Sequence, residues 1–357
     1  MHHIATHFPI TQTHTYLNTA ASGLLPLPVL EWRRAHDQEF FETGGLLKAK
    51  QGDFLAETRE TVGSFFNCAP NRVALLPNFS YGMNTLLESI PNKCTNVLMI
   101  EGDYPSLRWP FTSRDFNVHY VPVTSSLEDD IVHAFAKAQP DIFAFSIVQW
   151  TSGIKLDLSV IKELKAKYPD TIFIADGTQY VGTASFDFDH SGIDVLGAST
   201  YKWLNAGYGN GFYLFKPEMA ETLAPKTTGF NSLQGKYKPQ EGNFIGHFEP
   251  GHQDTLNFGS LTRAIQYAEE VGVSEIAKQI QALSRAAKSA FVARNILSEV
   301  VANRKSHSSI FNLKGDQKLY EILTDNKVLC AQRGDGIRVS FHYYNTVQDL
   351  EKLLNFL

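Results

Sequence analysis

The chain has 357 residues, enough for about two domains at roughly 150 residues each. Apolar residues make up 43% and charged residues 19%, with 25 Phe and 14 Tyr, which excludes a disordered or low-complexity protein. A formal net charge of -5 offers no electrostatic footprint for nucleic acid or an anionic membrane surface.

Cys68, Cys94 and Cys330 are far apart and odd in number, so they form neither a disulfide framework nor a paired zinc site. The cytoplasm is the expected compartment. The first ten residues lack a basic region followed by an apolar core, so no targeting segment is expected. No apolar run approaches the ~18 residues of a membrane span.

Strand-type runs alternate with helical patterns along the chain. Val73–Leu76 reads as a strand and Ser80–Ser89 as a helix. Strands follow at Asn96–Ile100 and Asn117–Val121, then a helix at Leu127–Lys137. The continuous apolar runs Ile142–Val148 and Thr171–Ala175 flank a helix at Leu158–Lys167, and strands at Val195–Ala198 and Gly211–Phe215 come next. Unbroken apolar strands between helices indicate a mostly parallel sheet covered on both faces.

The texture then changes. Residues 216–260, rich in Gly, Pro, Asn and Gln, read as irregular surface loops. Helical spacing returns at Leu261–Val271 and from Ser274 to about Ser298. The last part reads as α+β, with strands Ser309–Leu313, Val328–Gln332 and Gly336–Ser340 and helices Gln317–Asn326 and Thr346–Phe356. The expected organisation is an N-terminal segment 1–15 on the small domain, a large α/β domain 16–258 and a small α+β domain 259–357.

In an open parallel sheet, ligands bind beyond the carboxyl ends of the strands. The run ending at Ala175 leads into Asp176-Gly177-Thr178-Gln179, and the run ending at Ala198 leads into Ser199-Thr200-Tyr201-Lys202-Trp203. The run ending at Leu76 leads into Pro77-Asn78-Phe79-Ser80 and a helix start. A carboxylate, a lysine and a helix N-terminus at one crevice are what a pyridoxal phosphate site requires. The lysine amine forms a Schiff base with the aldehyde, the carboxylate keeps the pyridine nitrogen protonated, and helix N–H groups suit the phosphate.

These motifs resemble the class V aminotransferase family of fold type I pyridoxal-phosphate enzymes, which includes cysteine desulfurases, kynureninases and isopenicillin-epimerase-like proteins. The resemblance runs from Tyr16-Leu17-Asn18-Thr19-Ala20-Ala21-Ser22-Gly23, through Tyr104-Pro105-Ser106, to Arg338-Val339-Ser340-Phe341 and Tyr344-Asn345-Thr346. It implies a large domain with a mostly parallel seven-stranded sheet plus a small α+β domain, and pyridoxal 5'-phosphate as cofactor. It implies Lys202 as the Schiff-base lysine and proton shuttle, and Asp176 as partner of the pyridine nitrogen. Gln179 would bond the ring hydroxyl oxygen. Phe79, Ser80, Ser199 and Tyr201 would hold the phosphate, and Tyr104 would stack on the ring. Arg338 would grip the substrate carboxylate, with Asn18, Ala20, Ala21 and Trp150 bordering the pocket. His252, in Gly251-His252-Gln253-Asp254, would reach the phosphate of a second copy, implying a homodimer with shared active sites.

Plainer readings stand beside these. Asp176 and Ser80 could be helix caps, Tyr104 an ordinary packed aromatic, and Arg338 a surface ion pair. Ser199-x-x-Lys202 also fits a serine-enzyme pattern, but the companion Ser-Asp-Asn and Lys-Thr-Gly motifs are missing. His247, Glu249, His252 and Asp254 lack the spacing of a metal motif, and no metal is expected.

The expected activity is a pyridoxal-phosphate enzyme acting on a small amino acid, an aminotransferase first. The alternatives are a kynureninase-like or cysteine-desulfurase-like lyase or hydrolase (selenocysteine lyase included), an epimerase, or a silent homologue that binds cofactor or partner. A desulfurase needs a nucleophilic cysteine on a mobile loop, whereas Cys330 reads as a buried strand thiol.

Overall fold

The strands are β1 (Thr15–Tyr16), β2 (Val73–Leu76), β3 (Asn96–Ile100), β4 (Asn117–Val121), β5 (Ile142–Ser146) and β6 (Ile172–Asp176). They continue with β7 (Val195–Ser199), β8 (Gly211–Phe215), β9 (Ile310–Lys314), β10 (Val328–Leu329), β11 (Ala331–Arg333) and β12 (Gly336–Ser340). The computed structural model describes residues 4–232 and 244–357.

Seven strands form one sheet in the order β2-β8-β7-β6-β5-β3-β4. All its pairings are parallel except those of β8 with β2 and β7. Because β2 and β7 both oppose β8, they point the same way, and their carboxyl ends share one edge with those of β6, β5 and β3. The architecture is thus α/β with a mostly parallel seven-stranded sheet, as the sequence indicates.

Alternate residues of each strand feed two cores, as the strand period of two requires. Leu98, Phe143, Phe173 and Leu196 pack into one, and Val97, Met99, Ala144 and Ile174 into the other. Each fully buried large side chain contributes roughly 1.5–3 kcal/mol relative to exposure. Burial on both faces explains why β5, β6 and β7 read as unbroken apolar runs.

Tyr213 of β8 locks the helix Phe79–Ser89 to the sheet. A β-carbon on Gly82 would meet its ring at 2.1 Å, and one on Gly197 at 2.4 Å, so the ring is wedged between two glycines. Its hydroxyl donates to the Phe79 carbonyl at 2.7 Å.

A second sheet, β11-β12-β9, is antiparallel. The N-terminal segment joins it to the large sheet. β1 pairs in parallel with β10, Asn18 bridges Ser340, and Phe8 packs its ring on Tyr344 at 4.8 Å.

Several expectations are corrected. The helix expected from Leu261 spans Thr255–Val271, because Asp254 caps it by accepting from the Asn257 amide at 2.9 Å. The preceding stretch is not all surface: Ile245, Phe248 and Glu249 are buried. The part of that stretch at 233–243 lies outside the described residues. The single strand expected at Val328–Gln332 is broken at Cys330, with β10 turned to β1 and β11 to β12. The helix expected to reach Ser298 ends at Ala293, and Asn295 takes a left-handed φ of 54°.

Helices at Leu27–Thr43, Gln51–Phe66 and Pro105–Thr112 were not anticipated. The first buries only Val29 and His36, so it carries no apolar stripe to read.

Candidate active site

Lys202 sits in the turn after β7 and is 5% exposed. Its ammonium lies 5.5 Å from the Tyr104 ring centroid and 5.6 Å from that of Tyr201. The cavity beside it, about 360 Å³, is lined by Asn78, Phe79, Ser80, Tyr104, Ser199 and Lys202, with Tyr201 and Tyr208 at its rim. A narrower cleft lined by Tyr104, Trp150, Asp176, Gln179 and Lys202 adjoins it.

Asp176 closes β6 and is buried. The Thr178 amide donates to its Oδ1 at 2.8 Å. Burial raises the Asp176 pKa, against the opposing pull of the Thr178 hydrogen bonds and the Lys202 charge. Burial likewise lowers that of Lys202, aided by the Arg338 and Arg333 charges and opposed by Asp176. The pair therefore favours a neutral, nucleophilic amine nearer neutral pH than a surface lysine allows.

The helix Phe79–Ser89 starts at the same cavity, its N-cap Asn78 accepting from the Tyr81 amide at 3.1 Å. Ser199 Oγ accepts from the Phe79 amide at 2.9 Å, which leaves its hydroxyl proton for another acceptor. Helix N–H groups with two serine hydroxyls suit an anionic phosphate.

Gln179 is held at both ends: Nε2 donates to the Ala20 carbonyl at 2.9 Å, and Oε1 accepts from Trp203 Nε1 at 2.8 Å. Nε2 keeps a second proton. Trp203, next to the lysine in sequence, backs Gln179 and does not line the lysine cavity.

Arg338, on β12, is 3% exposed. Nη1 donates to the Trp150 carbonyl at 2.7 Å, while Nε is buried without a partner among the described residues. Burial, with the Arg333 charge, lowers its pKa to about 10. A buried guanidinium without a carboxylate partner is costly, and a bound carboxylate would satisfy it. Asn18 Oδ1 is likewise buried and unpartnered among the described residues. The Ala20 amide donates to Ser340 Oγ at 3.0 Å, so Asn18–Ala21 lies against β12.

Asp103 was missed by the sequence reasoning. This buried carboxylate accepts from the amides of Tyr104 at 2.6 Å and Ser146 at 2.8 Å, from Ser146 Oγ at 2.5 Å and from Gln149 Nε2 at 3.2 Å. It ties the ends of β3 and β5 and so fixes Tyr104. An acid three positions past the apolar strand end at Ile100 was the available signal. Tyr208 was also missed; its ring stacks on Tyr201 at 4.6 Å and its hydroxyl donates to Ser22 Oγ at 2.9 Å.

His252 does not line the cavity of its own chain. It is exposed, with its ring 5.1 Å from that of Phe230. The polar residues near it diverge: His247 bonds the Thr227 carbonyl, Glu249 pairs with Arg59, and Asp254 caps a helix. Among the described residues no cluster could hold a metal ion.

The aminotransferase class-V family model matches residues 15–353, and the chain belongs to that family. The uncharacterized aminotransferase YcbU of Bacillus subtilis is 22% identical over 98% of this chain and 95% of its own length. The apo cysteine desulfurase from Thermococcus onnurineus NA1 superposes with a TM-score of 0.86 at 17% identity, covering 99% of this chain and 96% of that one. The cystine C–S lyase C-DES, in complex with its product cysteine persulfide, superposes with a TM-score of 0.86 at 18% identity, covering 98% of each chain. The fold is that of fold type I pyridoxal-phosphate enzymes. Pyridoxal phosphate is the cofactor of this family, and in a C-DES variant glycine is covalently linked to it. The buried Asp176, the depressed Lys202, the helix start with Ser199 and Arg338, whose buried Nε has no partner among the described residues, fit that cofactor and an amino-acid carboxylate. No helix among the described residues is long and apolar enough to cross a membrane.

Proposed function

We propose that the chain acts on a small amino acid and is an aminotransferase, with Lys202 as the residue that holds the cofactor and carries the substrate α-proton. One observation carries this reading: buried Lys202 and buried Asp176 at the carboxyl edge of the large sheet lie within electrostatic reach of buried Arg338, which has no carboxylate partner among the described residues. When bound, pyridoxal phosphate supplies an electron sink for the pair released at the substrate α-carbon.

The chain's own residues do the rest. The Asp176 carboxylate holds a proton at an aromatic nitrogen placed against it. Phe79, Ser80, Ser199 and Tyr201 bind the phosphate at the helix start, and Tyr104 covers the ring. Gln179 donates its second Nε2 proton to the ring hydroxyl oxygen. Arg338 orients the substrate by its carboxylate, between Trp150 and the segment Asn18–Ala21. Lys202, whose ammonium burial makes easier to deprotonate, accepts a proton from carbon and returns it elsewhere.

His252, exposed and outside its own cavity, contacts the phosphate of a second copy, so the working form is a homodimer. We assign 16–258 to the cofactor domain, 259–357 to the small domain, and 1–15 to a segment on the latter. The compartment is the cytoplasm.

A desulfurase is disfavoured because burial raises the Cys330 thiol to about 11, which suppresses its thiolate. A lyase needing no cysteine uses the same lysine, and the tract Val148–Gly153 resembles kynureninase-like and epimerase-like members more than desulfurases. An epimerase would return the proton to the same carbon.

The test is spectroscopic. Purified protein with cofactor should show a visible absorption band that Lys202→Ala loses. A panel of amino acids should bleach it through half-transamination. A protein that never colours overturns the cofactor role of Lys202. A coloured protein bleached by no amino acid overturns the aminotransferase, and keto-acid release without amine transfer establishes the lyase.

A further inference from the structure

A second cavity, about 580 Å³, opens between the helix Val273–Ala293, the segment 305–309 and the turn after β6. It meets the lysine cleft only at a shared wall, because Val148 and Gln179 line both. Its size is that of a small-molecule site, roughly 300–1,000 Å³.

Its lining is one-signed. Lys155, Arg285, Lys288 and Lys305 face it, and none forms an ion pair among the described residues. A further cation, Lys278, is paired with Glu275 at 2.6 Å. Among the described residues no Asp or Glu lines the cavity. Lys155 is partly buried, its ammonium 5.0 Å from the Tyr180 ring centroid; it feels the Asp157 charge without an ion pair, and Asp157 accepts from the Ser159 amide and hydroxyl. Lys288 donates to the Arg304 carbonyl, a neutral acceptor that leaves its charge uncompensated.

A second observation is independent of charge. Ser309 lines the cavity, is 2% exposed, and its hydroxyl has no hydrogen-bond partner among the described residues. A buried polar group left bare costs roughly 1–3 kcal/mol. Cations without an ion pair and an unsatisfied hydroxyl around one void are both satisfied by the same object, an oxygen-rich anion.

We propose that this cavity is a binding site for a small multivalent anion whose charge is carried by phosphate or carboxylate oxygens. The anion seats against Lys155, Lys288 and Ser309, with Arg285 and Lys305 closing the rim. Its inner wall is Gln179 and Trp203, joined by a 2.8 Å hydrogen bond, so an occupant touches the residues that back the lysine cleft.

Calorimetric titration of the full chain, saturated with pyridoxal phosphate and freed of excess, tests this. The filled cofactor site keeps its phosphate cradle out of the measurement. Inorganic pyrophosphate and citrate are the probes, at low ionic strength. Saturable binding of either supports the site; pyrophosphate alone assigns phosphate chemistry, and citrate alone carboxylate chemistry. Arg285 and Lys305 are exposed and outside any described ion pair, so the double variant Arg285→Ala/Lys305→Ala should fold. It should bind roughly tenfold more weakly or worse, with Arg285→Lys largely retaining affinity. No saturation by either anion, or unchanged affinity in the double variant, overturns the proposal. Neither result bears on the amino-acid chemistry of Lys202.

Discussion

The Gly23 amide donates to the Tyr201 carbonyl at 2.9 Å, and a β-carbon on Gly23 would lie 1.9 Å from the Lys202 carbonyl oxygen. The N-terminal strap is thereby pressed against the loop that presents the lysine. Both listeners in that contact are backbone, so neither can rotate away.

Gly23→Ala should therefore displace the strap or the lysine loop, costing roughly 1–3 kcal/mol as overpacking does. Gly45→Ala is the control, since a β-carbon there meets nothing within 4 Å. Thermal unfolding and the visible band of the bound cofactor are the readouts. A Gly23→Ala protein as stable and as coloured as the parent would show that the contact is dispensable.

Arg338 is the group with most to gain from a ligand. Arg338→Ala should weaken the specificity constant roughly 10- to 100-fold, through loss of a charge-assisted hydrogen bond. Arg338→Lys should recover little, because an ammonium cannot reproduce the two-pronged guanidinium fork. Steady-state kinetics with the best substrate of the panel, set beside its decarboxylated amine, decide it. If the amine loses as much as the acid, Arg338 is not the carboxylate's partner.

The thiol of Cys330 should be spectator chemistry. It is 7% exposed and burial holds its pKa near 11. Cys330→Ala should keep turnover within about twofold while losing up to ~1–2 kcal/mol of stability, the transfer and cavity cost of a small buried side chain. Loss of sulfide release from cysteine in that variant would instead restore the desulfurase assignment.

His342 sets an acid limit on the fold. Its Nδ1 accepts from the Tyr343 amide at 2.7 Å, and its Nε2 lies 3.0 Å from the Trp203 carbonyl, which fixes a neutral ring protonated at Nε2. Burial pushes its pKa from 6.5 down to about 3. The unfolded chain binds a proton below pH 6.5 that the folded chain refuses. Stability from this residue is therefore full above that pH and falls towards pH 3, by roughly 2 kcal/mol at pH 5. Urea unfolding at pH 7 and pH 5 measures it. His342→Gln should be less stable at pH 7 but lose less between the two; an equal loss would assign the acid sensitivity elsewhere.

The strands and the ends they present were legible because two-sided burial leaves unbroken apolar runs such as Ile142–Ser146. Asp176 was legible because it follows such a run directly, and Lys202 because it lies in the polar turn four positions past Ala198. Leu27–Thr43 was not, because its long polar surface hides a helix that buries two side chains. Asp103 escaped notice for another reason. Its role depends on Ser146 and Gln149, more than forty positions away, and no local pattern brings those partners together. Trp203 was placed in the right neighbourhood on the wrong side: it supports Gln179 from behind.

The union of the two ends of the chain has a consequence for biosynthesis. Leu17 donates to Leu329, Ser340 donates back to Leu17, and Asn345 Nδ2 reaches the Tyr16 carbonyl at 2.9 Å. Every one of these partners follows the large sheet in the chain. A nascent chain can assemble its large sheet early, yet the strap carrying Asn18 to Gly23 has nothing to dock on until the final strands emerge. The bracing of the lysine loop by that strap thus depends on contacts with residues 329–345.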